Sequence, residues 1–368
     1  MAHSALRRKL RTKKDRVALL DEIEAFIDKG KTTGTLLDVE LERRTCQSLL
    51  DYWLTILFDH NRSDVDGTLA EFDPETAPEL PDEACPYRGL DEFREEDVRL
   101  FFGRQHFIDR LIKRLSESKS RTLIITGSSG CGKSSLVKAG LIPALKRGGL
   151  PGSESWRYHS PIVPGDAPNA SLEEELNATT EIPTATELIT IDQFEEIFTL
   201  CHDQEKREEF SNSLIQLSKQ GHYTVLTMRS DFEPFLAKVP KLQKLLEDSQ
   251  VIVTPLNASD LRKAIESPAD DVGLKFEEGV VEHLVEDLVG EPAGLPLLQF
   301  TLMALWEHRE RNRITLDAYN KLGGGRLALA SCADAVFNGL IPEEKTTAKR
   351  LFLRLVQPGD GLEVTRKR

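Results

Sequence analysis

The stretch Leu123–Ser135, L-I-I-T-G-S-S-G-C-G-K-S-S, restricts the fold of this chain more than any other segment. Leu123, Ile124 and Ile125 make a short apolar run of the kind buried in a parallel sheet. Gly127, Gly132, Lys133 and Ser134 then fill the template G-x-x-x-x-G-K-[ST]. Leu136, Val137, Ala139 and Leu141 follow at helical spacing. Strand, glycine loop and helix are the context in which backbone N–H groups turn into one concavity at the positive end of a helix. Gly127, Ser128, Ser129, Gly130, Cys131, Gly132, Lys133, Ser134 and Ser135 are therefore expected to cradle a phosphate chain. Lys133 brings a charge toward the β- and γ-phosphates, and the Ser134 hydroxyl is a ligand for Mg²⁺. A nucleoside triphosphate is the expected ligand. A glycine-rich turn with no ligand is the competing reading, and these flanks speak against it.

Composition narrows the class. With 368 residues the chain can form two or three domains, each with its own core. The net charge of −13 argues against nucleic acid held by bulk charge, because phosphate contacts need a basic footprint. No apolar run reaches the length of a membrane span. Cys46, Cys85, Cys131, Cys201 and Cys332 are scattered without a C-x-x-C pair, which fits a reduced cytoplasm better than a disulfide framework or a metal cluster.

Read in order, residues 1–60 are an expected small helical module. Seven basic residues lie between Arg7 and Arg16 on a solvated face, and apolar residues recur at helical spacing from Val17 to Ile27. A second helix is predicted over Leu36–Phe58, with Leu41, Leu50, Trp53, Leu57 and Phe58 on its apolar stripe. Residues 61–84 alternate acids with Pro74, Pro78 and Pro81, as an extended linker or a strap over a surface would. Residues 85–256 carry the phosphate loop, with further strands predicted over Arg157–Val163, Glu187–Ile191 and Tyr223–Thr227. Strands alternating with helical stretches give an α/β class: a parallel sheet with helices on both faces. From Asn257 the pattern is helical, punctuated at Pro268, Gly273, Gly290, Pro292, Gly294, Pro296 and Gly323-Gly324-Gly325. Residues 257–340 are read as a helical lid domain.

Chemistry concentrates at two strand ends. Asp192 closes the strand L-I-T-I-D, where a carboxylate holds Mg²⁺ beside Ser134. Glu195 and Glu196 follow, and either can polarise the attacking water, or both can simply open the next helix, where acids suit the dipole. Arg229 ends the third strand, where a cation can face the γ-phosphate or pair with Asp231. Ahead of the first strand, Gly103 and Arg104 occupy a segment expected near the nucleotide. Cys131 inside the loop is either a small residue that fits or a redox-sensitive one.

Together these residues resemble a family. Y-R-G-L-x-x-F at Tyr87–Phe93, F-F-G-R at Phe101–Arg104, the phosphate loop, I-D-Q-F-E-E, R-S-D-F at Arg229–Phe232, and G-L-P-L-L-Q at Gly294–Gln299 resemble the STAND signal-transduction ATPases. Among these the set looks like the novel-STAND type of large bacterial regulators, relatives of NACHT and AAA+ proteins. The resemblance implies that Asp192, Glu195 and Glu196 are the acidic positions of the hydrolytic motif. It further implies that Arg229 is a sensor and that Pro296 packs near the adenine. The resemblance implies ATP as the ligand and ADP as its product, and the expected function is an ATP-hydrolysing switch, slow in turnover, that self-associates in its ATP state. An effector would be reached through the N-terminal module, and a sensor domain is expected beyond residues 341–368, which resemble the start of a winged helix; the chain is then a fragment, or the sensor has been lost. The alternatives are a DNA-associated AAA+-like ATPase and a non-hydrolysing scaffold with bound nucleotide.

Overall fold

The computed structural model describes residues 2–12, 16–37, 40–62, 64–73, 76, 79–178, 186–237, 239–241, 243, 249–291, 294–358 and 364–366. Pro74, Glu75 and Pro78 of the acidic stretch, Pro292, and Gly359-Asp360-Gly361 of the segment read as the start of a winged helix lie outside the described residues. The chain divides into two units, Met1–Leu80 and Pro81–Arg368.

In the first unit, helices Ala2–Thr12, Arg16–Thr32 and Glu40–Phe58 bury Leu6, Leu19, Ile23, Ile27, Trp53 and Leu57 together. The third helix starts later than its apolar pattern suggests, because Thr33–Leu36 closes the preceding helix as a 3₁₀ turn. Leu41 and Phe58, expected on the apolar stripe, are exposed, whereas Leu50, Trp53 and Leu57 are buried. Residues after the third helix strap this unit. Ala70 N donates to Lys31 O, Asp73 N to Thr35 O, and Arg43 reaches Gly34, Leu37 and Ala70 carbonyls.

The second unit is built on five parallel strands: β1 (Thr122–Gly127), β2 (Arg157–Tyr158), β3 (Glu187–Ile191), β4 (Tyr223–Arg229) and β5 (Gln250–Ile252). Their order across the sheet is β2-β3-β4-β1-β5. Side chains alternate between two cores, as period-2 geometry demands. Leu123, Ile125, Leu188 and Val225 face helix Gln105–Glu117 and the phosphate-loop helix. Ile124, Ile189, Ile191, Leu226 and Met228 face the layer holding Leu172 of helix Pro168–Asn177 and Phe210, Leu214 and Leu217 of helix Gln204–Gln220. The strand expected over Arg157–Val163 is cut to two residues, with only a bridge from Ile162 to Ile191 beyond it. Pro161 has no N–H to donate to the ladder. β4 runs two residues further than its apolar pattern, through Met228 and Arg229.

After β5 the chain is mostly helical: Ala258–Val272, Val280–Leu288, Gly294–Glu307, Leu316–Lys321, Gly324–Gly339 and Pro342–Leu355. Pro268 was expected to break the pattern but lies inside the first of these helices. It removes one ladder hydrogen bond there, and in that turn the buried Tyr87 hydroxyl donates to Ile265 O at 2.8 Å. A short parallel pair, β6 (Lys275–Phe276) with β7 (Arg313–Ile314), ties this layer together. An antiparallel pair, β8 (Val356–Pro358) with β9 (Val364–Arg366), follows the last helix.

Gly103 fixes how the F-F-G-R segment enters this frame. Its φ is +79°, and a Cβ built there would stand 2.5 Å from Asp260 O, a backbone atom that cannot step aside. Gly103→Ala should therefore cost about 2–4 kcal/mol, combining left-handed strain with overpacking. A lower urea midpoint with an unchanged slope is the expected result.

Candidate nucleotide site

The phosphate loop leaves the end of β1 and turns into a helical run. That run opens over Lys133–Ser135, continues as a π-helical turn over Leu136–Leu141 and finishes as Ile142–Lys146. Pro143 lacks the N–H that would reach back to Ala139, a local reason for the wider turn. Gly130 and Gly132 have φ of +76° and +87°. A Cβ on Gly132 would approach Leu295 Cδ1 to 3.1 Å, so this glycine allows the G-L-P segment to close over the loop. The Lys133 ammonium is buried and donates to the loop's own carbonyls, Gly127 O at 3.0 Å and Ser128 O at 2.8 Å.

Strand order brings the second motif to this loop. β4 lies between β1 and β3, pairing Gly127 with Arg229 and Ile191 with Leu226. Asp192, one residue past β3, is 1% exposed, and its Oδ1 accepts from Ser134 Oγ at 2.7 Å and Thr227 Oγ1 at 2.6 Å. Gln193 N donates to the same oxygen at 3.1 Å, from a residue with φ of +52°. Lys138 Nζ stands 3.0 Å from Asp192 Oδ2. Burial pushes the Asp192 pKa up, but the hydrogen bonds from Thr227 and Ser134 and the charge of Lys138 outweigh it and hold the group ionised below its ordinary value.

The glutamates differ in setting. Glu195 immediately precedes the short helix Glu196–Thr199 and accepts from Arg229 N at 3.3 Å through Oε2. Burial raises its pKa above the ordinary glutamate value, against opposing hydrogen bonds and the charges of Lys133 and Arg229. Glu196 is 5% exposed and also borders the cavity, while Phe194 between Gln193 and Glu195 is fully buried core. Arg229 forms a two-pronged pair with Asp231, Nε to Oδ1 at 3.0 Å and Nη2 to Oδ2 at 2.6 Å, and lies over the Phe232 ring. Its position at the β4 tip matches the sequence expectation, with Asp231 holding the guanidinium there.

These groups border one cavity of about 780 Å³. Ser129, Gly130, Gly132, Lys133, Ser134, Ser135, Gln193, Glu195, Glu196, Thr227, Arg229 and Pro296 line it, whereas Asp192 stands behind Ser134. Leu90, Phe93, Phe101, Phe102, Leu256 and Gln299 line it as well. The volume falls in the range of small-molecule and cofactor sites. Arg104 also borders the cavity, but two of its donors are committed to backbone: Nη1 to Thr254 O at 2.9 Å and Nη2 to Cys131 O at 2.7 Å. Buried to 2% exposure over the Phe107 ring, it braces the loop against the chain after β5. Cys131 is likewise buried, packed in the core beneath the loop, with Lys133 Nζ 4.0 Å from its Sγ.

A hydroxyl and a carboxylate oxygen, with ordered donors fixing the carboxylate, suit a hard divalent cation that keeps water and phosphate as its remaining ligands. Ser134 and Asp192 thus fit Mg²⁺. Among the described residues no group of three or more His, Cys, Asp or Glu is placed to hold a metal ion. Sequence reasoning missed Thr227, Lys138 and Glu92. Lys138 was detectable, since it lies four residues after Ser134 and so on the same helical face; Thr227 and Glu92 carried no local signal.

No helix among the described residues is long and apolar enough to cross a membrane. No curated protein matches the chain. Among solved structures, domain III of the Thermotoga maritima replication initiation protein DnaA aligns at 14% identity, over 70% of this chain and 98% of that chain, with a TM-score of 0.43. The Drosophila ORC bound to DNA aligns at 14% identity over 66% of this chain and 65% of that one, with a TM-score of 0.46. The Aeropyrum pernix ORC1 protein in complex with DNA aligns at 15% identity over 71% and 73%, with a TM-score of 0.44. The model of one family, Novel STAND NTPase 1, matches residues 86–368, covering the phosphate loop, the Asp192 motif and the helices that follow. On that match the chain belongs to the novel STAND NTPases, a family of P-loop proteins.

Proposed function

We propose that this protein is a cytoplasmic ATP-hydrolysing switch whose product is a conformational state, with phosphate release as its reset. The observation that carries this reading is the 2.7 Å contact from Ser134 to Asp192, which joins two motifs 58 residues apart at one wall of a nucleotide-sized cavity. Gly130–Ser135 would take the phosphates, and the apolar wall near Phe101 and Pro296 the adenine. Ser134 and Asp192 would hold Mg²⁺, which when bound neutralises charge on the phosphate oxygens.

Glu195 is the better placed of the two glutamates to polarise water. The Arg229 N–H steadies one of its oxygens, and its raised pKa makes it a stronger base than an ordinary carboxylate. Arg229 could exchange its Asp231 partner for the γ-phosphate, reporting triphosphate against diphosphate to the segment after β5. A ligand shifts such an equilibrium only by its difference in affinity for the two states. The lid helices from Ala258 onward supply that difference, since Leu295 and Pro296 approach the loop. Self-association in the ATP state, and an effector engaged through the N-terminal unit, complete the proposal.

Three measurements test it. Glu195→Gln should lower phosphate release by roughly 10²–10⁴-fold with nucleotide still bound; unchanged turnover in this variant and in Glu196→Gln would remove both from hydrolysis. Because Glu195 must be ionised to act and its pKa is raised, the acid limb of turnover should begin at higher pH than an ordinary glutamate gives. Solution mass with ADP and then with a non-hydrolysable ATP analogue should move from monomer to a defined oligomer, and no change in either state would favour a static scaffold.

A further inference from the structure

Lys138 has a place in the site that the loop chemistry does not account for. Its side chain is only 17% exposed, and its ammonium stands between two carboxylates: 3.0 Å from Asp192 Oδ2, and 2.9 and 2.8 Å from Glu92 Oε1 and Oε2. Burial opposes its charge, yet the hydrogen bond to Glu92 and the Asp192 carboxylate prevail, so it stays a cation. The other oxygen of Asp192 is occupied by Ser134, Thr227 and Gln193. Lys138 therefore faces the oxygen left for a metal's water.

Glu92 belongs to a strap that is tied to both sides of the cavity. Gly89–Phe93 lines the cavity wall. At one end Arg88 N donates to Gln299 Oε1 of the lid helix at 3.1 Å, and at the other Phe93 N donates to Ser135 Oγ of the loop at 3.2 Å. Any ligand or lid movement that displaces the strap also displaces the carboxylate that shares the Lys138 charge.

We propose that Lys138 is a positioning residue that sets the magnesium affinity of Asp192, and that Glu92 tunes it by competing for the same ammonium. The inference rests on the reading that Ser134 and Asp192 hold Mg²⁺. With Lys138 drawn toward Asp192, the carboxylate is partly neutralised and a neighbouring divalent cation is repelled. With Lys138 drawn toward Glu92, Asp192 regains its charge. Strap position and metal affinity are thereby linked, and the linkage acts in both directions.

The test is the affinity of the full chain for a fluorescent ADP analogue, measured with Mg²⁺ and with EDTA; the ratio is the magnesium enhancement. Lys138→Met keeps the aliphatic stem and should raise that ratio about fivefold or more, whereas Glu92→Gln should lower it by a comparable factor. Lys138→Arg keeps the charge and should stay within about twofold of wild type, a rescue that a packing role would not show. Opposite signs for Lys138→Met and Glu92→Gln support the proposal. An unchanged ratio in Lys138→Met, or a shift of the same sign in both variants, overturns it. If Lys138→Met does not fold, Glu92→Gln decides alone: a fall supports, and no change or a rise overturns. Wild-type affinity indifferent to both EDTA and Lys133→Ala would instead overturn the magnesium-nucleotide reading, and this inference with it.

Discussion

The site depends on one buried carboxylate. Asp192 is ionised in a place where an unpartnered charge would be prohibitive, and it is tolerated because three donors reach one oxygen and an ammonium faces the other. Those partners come from the phosphate-loop helix, from the turn after β3 and from β4. The carboxylate thus sets the spacing among the three elements that a nucleotide would have to touch. Removing it would leave the Lys138 ammonium and the Thr227 hydroxyl without the group they converge on. Loop and strand tips would then lose the contact that holds them in register.

Behind the loop a second buried charge plays a complementary part. Burial lowers the Arg104 pKa from its ordinary high value, and two of its donors go to Cys131 O and Thr254 O. Asp192 fixes the loop from the side of the acids, and Arg104 fixes it from the side of β5. Between them the loop is held open by groups that do not compete with phosphate for its N–H donors. That is preorganisation, which spares binding the cost of ordering the loop.

Among the described residues, polar contacts that join the lid to this frame include Tyr87 to Ile265, Arg88 to Gln299 and Arg309 to Asp82, and Leu295 packs close to Gly132. In the proposed switch these are links that a change of nucleotide would make or break, since two states interconvert only when their difference is small compared with the stability of either part.

The local chemistry was legible in the residues. A phosphate loop needs its glycines, lysine and serine next to one another, so Gly127–Ser135 could be read directly, as could Asp192 at the end of an apolar strand. The helix-covered parallel sheet was legible too, since strands alternating with helical stretches are a local pattern. What the chain could not display locally was strand order. The insertion of β4 between β1 and β3 places Thr227 against Asp192 and Arg229 beside the loop. β5 was missed because three residues are too few to show a period. Arg104 was expected near the nucleotide; it borders the cavity, and only packing reveals that two of its donors turn to backbone carbonyls. The residues alone named the groups that the proposed site offers to phosphate, metal and water. The tertiary structure decided which carboxylate each cation serves, because contacts such as Lys138 with Glu92 and Asp192 join residues far apart in the chain through parallel pairing and helix packing, which no local pattern encodes.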